Sequence, residues 1–162
     1  MRVLFVCLGN ICRSPTAEAV MRGLVEERGL AESIEIDSAG TGDWHIGKPA
    51  DPRAIEAAGI RGVELTSRAR QVTESDFDEF DLIVAMDRTN HENLVAIAGG
   101  DDSKVRLLRE YGDDDDLDVP DPYFGGQDGF EEVLDIIERN CVLLMEELDV
   151  DDPDTRRAGP GV

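Results

Sequence analysis

A chain of 162 residues fits one domain, long enough to bury a core without disulfides or a metal as staples. Hydrophobic residues make up 41% of it, yet no apolar run nears the roughly 18 residues that a membrane span needs. The net charge of -21 at pH 7 argues against nucleic acid or an anionic membrane as partner, because both require a basic face.

In chain order, the first predicted element is a buried strand over residues 3–8, VLFVCL. With Met1-Arg2 before it, this run faintly imitates an export signal, but it stops at Gly9-Asn10 and no small-residue cleavage site follows. Ala17, Val20, Met21, Leu24 and Val25 then recur at helical spacing, and Gly29 closes the segment. IEIDSAG (34–40) returns to strand character. Two shorter apolar runs, DLIVAM (81–86) and KVRLL (104–108), lie between polar or helix-compatible segments. The last helix is predicted from Gly126 to about Leu148, with Val133, Ile137, Cys141, Leu144 and Leu148 along one face, which makes Cys141 a core residue. Residues 149–162, DVDDPDTRRAGPGV, carry charge, proline and glycine without apolar periodicity and read as an acidic, flexible tail.

Four strands separated by helices predict an α/β fold. The expectation is a three-layer domain over residues 1–148, with a four-stranded, mostly parallel twisted sheet and helices on both faces. In such sheets ligands sit beyond the carboxyl ends of the strands, where the connections change direction. Cys7, Ser38 and Asp87 all fall at or just after such ends.

Between Cys7 and Ser14 the chain must reverse tightly, with Ser14 placed to cap the next helix and Pro15 in its first turn. Gly9 and Asn10 are the residue types that accept a positive φ in such a turn. A turn feeding a helix amino terminus directs successive N–H groups inward and makes a nest for a tetrahedral oxyanion. A thiolate is the nucleophilic form of cysteine, and a positive focus of this kind favours it without a histidine base. Arg13 can grip two phosphate oxygens with its planar fork, and Ser14 can donate to the sulfur and ease its departure. Each element is weak alone. Together they set cysteine, five residues, arginine and serine between an apolar strand and an amphipathic helix, and that combination is specific.

The segment CLGNICRS (7–14) resembles the phosphate-binding loop of the low-molecular-weight protein tyrosine phosphatases. DSAGTGDWHIG (37–47), RARQ (68–71), MDRTN (86–90) and DPYFGG (121–126) follow in family order, so the resemblance runs from about Arg2 to Leu148. It implies phosphate contacts from Leu8, Gly9, Asn10, Ile11, Cys12 and Ser14. It also implies a hydrogen-bond network of Asn10, Ser14 and Ser38 that supports the strained turn. A histidine often belongs to that network, just before the alanine-arginine-glutamine run; Ser67 stands there in this chain, so a looser or water-bridged network is expected. Cys12 corresponds to a cysteine that related enzymes join reversibly to the nucleophile under peroxide.

Cleaving an aryl phosphate requires a proton for the leaving phenolate and later a base for water. Asp121, held between Pro120 and Pro122, occupies the position where the resemblance puts that acid. Trp44, Tyr123 and Phe124 resemble the aromatic walls of the family's cleft, while His45 and His91 read as surface residues. Asp113, Asp114, Asp115, Asp116 and Asp118 form a solvated run with no catalytic role.

The reaction so implied is hydrolysis of protein phosphotyrosine through a phosphocysteine on Cys7, with Arg13 stabilising the equatorial oxygens and Asp121 as acid and base. No cofactor or metal is expected. The expected partner is a phosphotyrosine protein, with an autophosphorylating tyrosine kinase as one candidate, and the expected state is a monomer. Rivals on the same fold are phosphoarginine hydrolysis, arsenate reduction and a non-catalytic oxyanion or redox module. Relatives acting on phosphoarginine carry threonine where this chain has Ile11. Thioredoxin-coupled arsenate reduction needs a mid-chain cysteine pair, and no cysteine lies between Cys12 and Cys141. A pure binder has no need of Asp121.

Three cysteines, an odd number, point to a reducing compartment and a cytoplasmic protein. With 37 acidic residues, and Lys48 and Lys104 as the lysines among 16 basic ones, the composition suits a salt-adapted cytoplasm, where dense carboxylates keep a protein hydrated and salt screens their repulsion.

Overall fold

The computed structural model describes residues 1–123 and 127–151. Its elements are β1 (Arg2–Cys7), α1 (Arg13–Glu27), β2 (Glu35–Gly40), α2 (Pro52–Ile60), α3 (Asp76–Glu79), β3 (Leu82–Ala85), α4 (Arg88–Ile97), β4 (Val105–Leu107), a 3₁₀ turn (Leu108–Tyr111) and α5 (Gln127–Asp151). The four strands form one sheet in the order β2-β1-β3-β4, and every pairing is parallel.

Why β1 lies at the centre follows from its composition. A parallel strand covered on both faces has no solvated side to carry polar residues, so it reads as a continuous apolar run. Val3, Phe5 and Cys7 face one core with Met21 of α1 and Ile137, Cys141 and Leu144 of α5. Leu4 and Val6 face the other, with Phe80, Ile83 and Leu94 on the α3–α4 side. A third cluster joins α2 to α5 through Ala54, Ala57, Phe130 and Leu134. Helices therefore cover both faces, and Cys141 is fully buried as its helical register predicts.

The chain leaves β1 for β2 on one side, then crosses to β3 on the other. This reversal opens a crevice at the carboxyl end of β1, where α/β sheets hold their ligands. Cys7 is the last residue of that strand.

One boundary differs from expectation. The last helix persists to Asp151, past the predicted end near Leu148, because Leu148 still packs in the core at 7% exposure. Gly126, its predicted start, and most of the predicted tail, residues 152–162, lie outside the described residues. No described helix is long and apolar enough to cross a membrane.

Candidate active site

The turn from β1 into α1 wraps around the Cys7 sulfur. Its carbonyls are engaged on the outside: Cys7 O accepts from Thr41 N at 3.0 Å, Leu8 O from Gly42 N at 2.9 Å and Ile11 O from Asp51 N at 2.8 Å. With these oxygens held away, the N–H side of the turn faces the sulfur, and Asn10 N donates to Cys7 Sγ at 3.3 Å. The approach of β2 requires Gly40, since a Cβ there would stand 2.7 Å from Leu8 O.

Asn10 carries the positive φ of this turn, at 56°. The left-handed region costs an ordinary residue about 1–2 kcal/mol, and asparagine tolerates it by local hydrogen bonding. Here its side chain is fully used: Nδ2 donates to Ser14 Oγ at 2.8 Å and to Ser38 Oγ at 3.0 Å, and Oδ1 accepts from Arg70 N at 3.0 Å. Gly9 does not share the positive φ; it matters instead by closeness, because a Cβ there would come within 3.0 Å of the His45 ring.

Ser14 does not cap α1, as the sequence suggested. The helix begins two residues earlier than such a cap requires, at Arg13, with Cys12 at the cap position and no side-chain cap bond. The Ser14 hydroxyl is turned to the strand end instead, with Oγ 3.0 Å from Cys7 Sγ and a longer 3.4 Å from Ala39 O. It accepts from Asn10 Nδ2, and in its contact with the sulfur either atom can be the donor.

Arg13 is 3% exposed. Nη1 bonds Asp87 Oδ2 at 2.7 Å and Val119 O at 3.0 Å, and Nη2 lies 3.6 Å from Asp121 Oδ2. Burial opposes its charge, but the facing Cys7, the Asp87 hydrogen bond and Asp121 more than offset this, so the guanidinium holds its proton more firmly than usual. Asp87 also caps α4 by accepting from Asn90 N at 2.7 Å, so a rigid helix end aims the carboxylate that aims Arg13. The strand-end position of Asp87 is visible in the sequence; its partner is not.

A cleft of about 240 Å³ opens above the sulfur and brings together Cys7, Leu8, Gly9, Ile11, Cys12 and Arg13 with Trp44, His45, Asp121 and Tyr123. Trp44 is 65% exposed, so it is wall and not core. Its ring covers Gly42, where a Cβ would overlap it. His45, expected on the plain surface, lines the cleft and meets Tyr123 with ring centroids 6.2 Å apart. Asp121 Oδ1 accepts from Tyr123 N at 3.1 Å, which turns the carboxylate along the loop and leaves it half open to the cleft. Phe124 lies outside the described residues. Asn10, Ser14 and Ser38 sit beneath the cleft and do not line it.

Cys12 is buried and unbridged, as are Cys7 and Cys141. Burial first, then Asp51, Cys7 and Asp121, push its thiol up to about 12, so it stays protonated beside Cys7 and does not compete as a nucleophile. Of the nearby aspartates, Asp118 is paired with Arg88, and Asp114 with Arg109 and Arg139. The supporting network extends past the sequence reading: Ser38 Oγ donates to Glu18, a carboxylate only 2% exposed.

A cysteine and an immobilised arginine under an inward-facing turn, at the switch point of a parallel sheet, define an α/β oxyanion-binding domain. The family model described as "Low molecular weight phosphotyrosine protein phosphatase" matches residues 2–154, and the chain belongs to that family. A low-molecular-weight protein-tyrosine-phosphatase of Streptomyces coelicolor is 52% identical over 149 residues, covering 89% of this chain and 91% of the relative. The crystal structure of YfkJ from Bacillus subtilis matches with a TM-score of 0.89 at 44% identity, over 94% and 96% of the two chains. The YwlE arginine phosphatase, in a mutant with a phosphorylated active-site serine, matches with a TM-score of 0.86 at 32% identity, over 96% and 99%.

Proposed function

We propose that this enzyme hydrolyses phosphotyrosine in proteins through a phosphocysteine on Cys7. The observation that carries the reading is the convergence, in one cleft, of Cys7 Sγ held by Ser14 and Asn10, an Arg13 fixed by Asp87, and Asp121. The sulfur attacks phosphorus, the P–O bond to the aryl oxygen breaks, and Asp121 delivers its proton to the departing phenolate. Arg13 and the loop amides meet the equatorial oxygens, where charge spreads in the transition state. Water then attacks the phosphocysteine, Asp121 takes its proton, and the S–P bond breaks with the sulfur electrons stabilised by Ser14.

Trp44 and Tyr123 supply flat walls for an aryl ring. Ile11, 8% exposed and lining the cleft, offers apolar surface and no hydroxyl, which favours the aryl ester over phosphoarginine. Cys12 is assigned as the reversible disulfide partner of Cys7 under peroxide. The setting is the reducing cytoplasm of a salt-adapted cell, and the enzyme acts as a monomer on proteins that include an autophosphorylating tyrosine kinase.

The test is turnover of phosphotyrosine and phosphoarginine peptides in high salt at mildly acid and neutral pH. Phosphotyrosine turnover that vanishes in Cys7→Ser is expected. Preference for phosphoarginine overturns the use made of Ile11, and phosphate binding without turnover of either peptide replaces the enzyme with a binding or redox module.

A further inference from the structure

Arg53, the second residue of α2, does not line the cleft, yet it stands where the phosphate loop, α2 and the acid loop meet. The start of α2 is seated on the phosphate loop, because Asp51 N donates to Ile11 O at 2.8 Å. The Asp51 carboxylate, 7% exposed, then accepts twice from the Arg53 side chain, from Nε at 3.1 Å and from Nη2 at 2.9 Å. The guanidinium also lies over the buried Phe130 ring, 4.8 Å from its centroid. A planar fork held in this way is pre-organised, so it gives up little freedom in making a further bond.

That further bond goes to the acid loop. Arg53 Nη2 donates to Tyr123 O at 2.9 Å, and the guanidinium lies 5.6 Å from the Tyr123 ring centroid. Upstream of Asp121 the loop is fixed at Val119, whose N donates to Met86 O at 2.8 Å and whose O accepts from Arg13. Downstream, Pro122 is buried and shares a small void with Ala54, Ala57 and Phe130. Apolar burial is non-directional, so it sets the depth of the loop without setting the rotation of its peptides. Rotation matters here, since Tyr123 N is the donor that aims Asp121 Oδ1. The bond to Tyr123 O holds the backbone of that residue against turning.

The geometry points to Arg53 as a positioning residue for the general acid. It ties the acid loop, at Tyr123 O, to a helix start that is itself seated on the phosphate loop, and so holds Asp121 in place over Cys7. The inference rests on the phosphatase reading above and adds to it the group that fixes the proton donor.

The experiment compares wild type with Arg53→Met, Arg53→Lys, Asp121→Ala and the double variant of Arg53→Met with Asp121→Ala. Methionine keeps an apolar chain on Phe130 and leaves the α2 cap, which is a bond from the Arg53 backbone N, but it donates nothing to Tyr123 O. Lysine keeps the charge without the fork. The first readout is kcat/KM, which reports the steps up to the phosphocysteine, for phenyl phosphate and for dinitrophenyl phosphate. Phenolate needs a proton to depart, its conjugate acid having a pKa of about 10; dinitrophenolate is a far weaker base and departs without one. The second readout is amide hydrogen exchange in a peptic peptide that contains Tyr123. In Arg53→Met, kcat/KM for phenyl phosphate falls about tenfold, a part of the ~10²–10⁴ that a positioned acid supplies, while that for dinitrophenyl phosphate changes by less than about twofold. The Tyr123 peptide exchanges faster. In the Asp121→Ala background the Arg53 change adds no further loss, because both act on one step, and Arg53→Lys stays close to Arg53→Met. An equal fall for both esters, full recovery in Arg53→Lys, or unchanged exchange at Tyr123 overturns the proposal. If wild type hydrolyses neither ester, the phosphatase reading fails by itself. Exchange then still decides the role of Arg53: faster exchange in Arg53→Met supports the tether, and an unchanged rate sinks it.

Discussion

Asn10 joins the backbone strain of the loop to its polar support in a single residue. Its φ of 56° suits glycine, while its three side-chain bonds suit nothing but an amide. Two substitutions separate these roles. Asn10→Gly keeps the conformation and loses the bonds, at about 1–3 kcal/mol for polar partners left unsatisfied. Asn10→Ala loses the bonds and adds about 1–2 kcal/mol of left-handed strain. Thermal unfolding is expected to rank wild type above Asn10→Gly and Asn10→Gly above Asn10→Ala; equal midpoints for the two variants would remove strain from the account. At this scale the sequence is partly legible. The residue types of a phosphate loop can be seen in CLGNICRS, but the direction of its side chains cannot, which is why Ser14 reads as a cap. Asp87 and Val119 O become partners of Arg13 only when distant segments meet, and no local spacing encodes that.

Strands were more legible than the short helices, for a physical reason. The central strands β1 and β3 are apolar runs covered by other elements, so their hydrophobic signal is strong. In α2 the buried positions are Ala54, Ala57 and Ala58, whose small side chains give a weak apolar period, and α3 is a single turn. What anchors α2 is its start. Asp51 accepts from Arg53 N at 2.9 Å, Pro52 opens the first turn, and Arg53 returns to the Asp51 carboxylate. The Arg53 hydrogen bond holds the Asp51 carboxyl below the usual range, against the opposing effect of burial. With the folded pKa below the unfolded one, this contribution is complete above the unfolded value and is lost as the pH falls through the folded one. Asp51→Asn retains a capping oxygen without the charge, whereas Asp51→Ala costs about 1 kcal/mol more. Urea unfolding should show the deficit of Asp51→Asn at neutral pH shrinking below the ordinary carboxylate pKa of about 3.9. A deficit that stays constant with pH would assign the effect to shape alone.

Across the whole molecule, arginine is used as a clamp. Arg61 reaches Glu131 at 2.7 Å, Asp135 at 2.9 Å and Glu138 at 3.3 Å, and Arg109 reaches Asp114 and Asp116. A planar fork can serve several carboxylates at once, which a lysine does poorly. The 37 acidic residues still outnumber the 16 basic ones, and on the proposed function a dianionic substrate approaches against that field. Accordingly kcat/KM is expected to rise with salt as the long-range repulsion is screened. A monotonic fall over the range where the fold persists would contradict both this and the salt-adapted reading.

The cleft draws its thiol and guanidinium from the first turn of the chain and its acid from the loop just before the last helix, with Val119 O closing on Arg13. On the proposed mechanism, residues 1–60 by themselves would therefore hold the thiol and the guanidinium without the carboxylate or the carbonyl that tethers the arginine, so the cleft is assembled only by long-range packing.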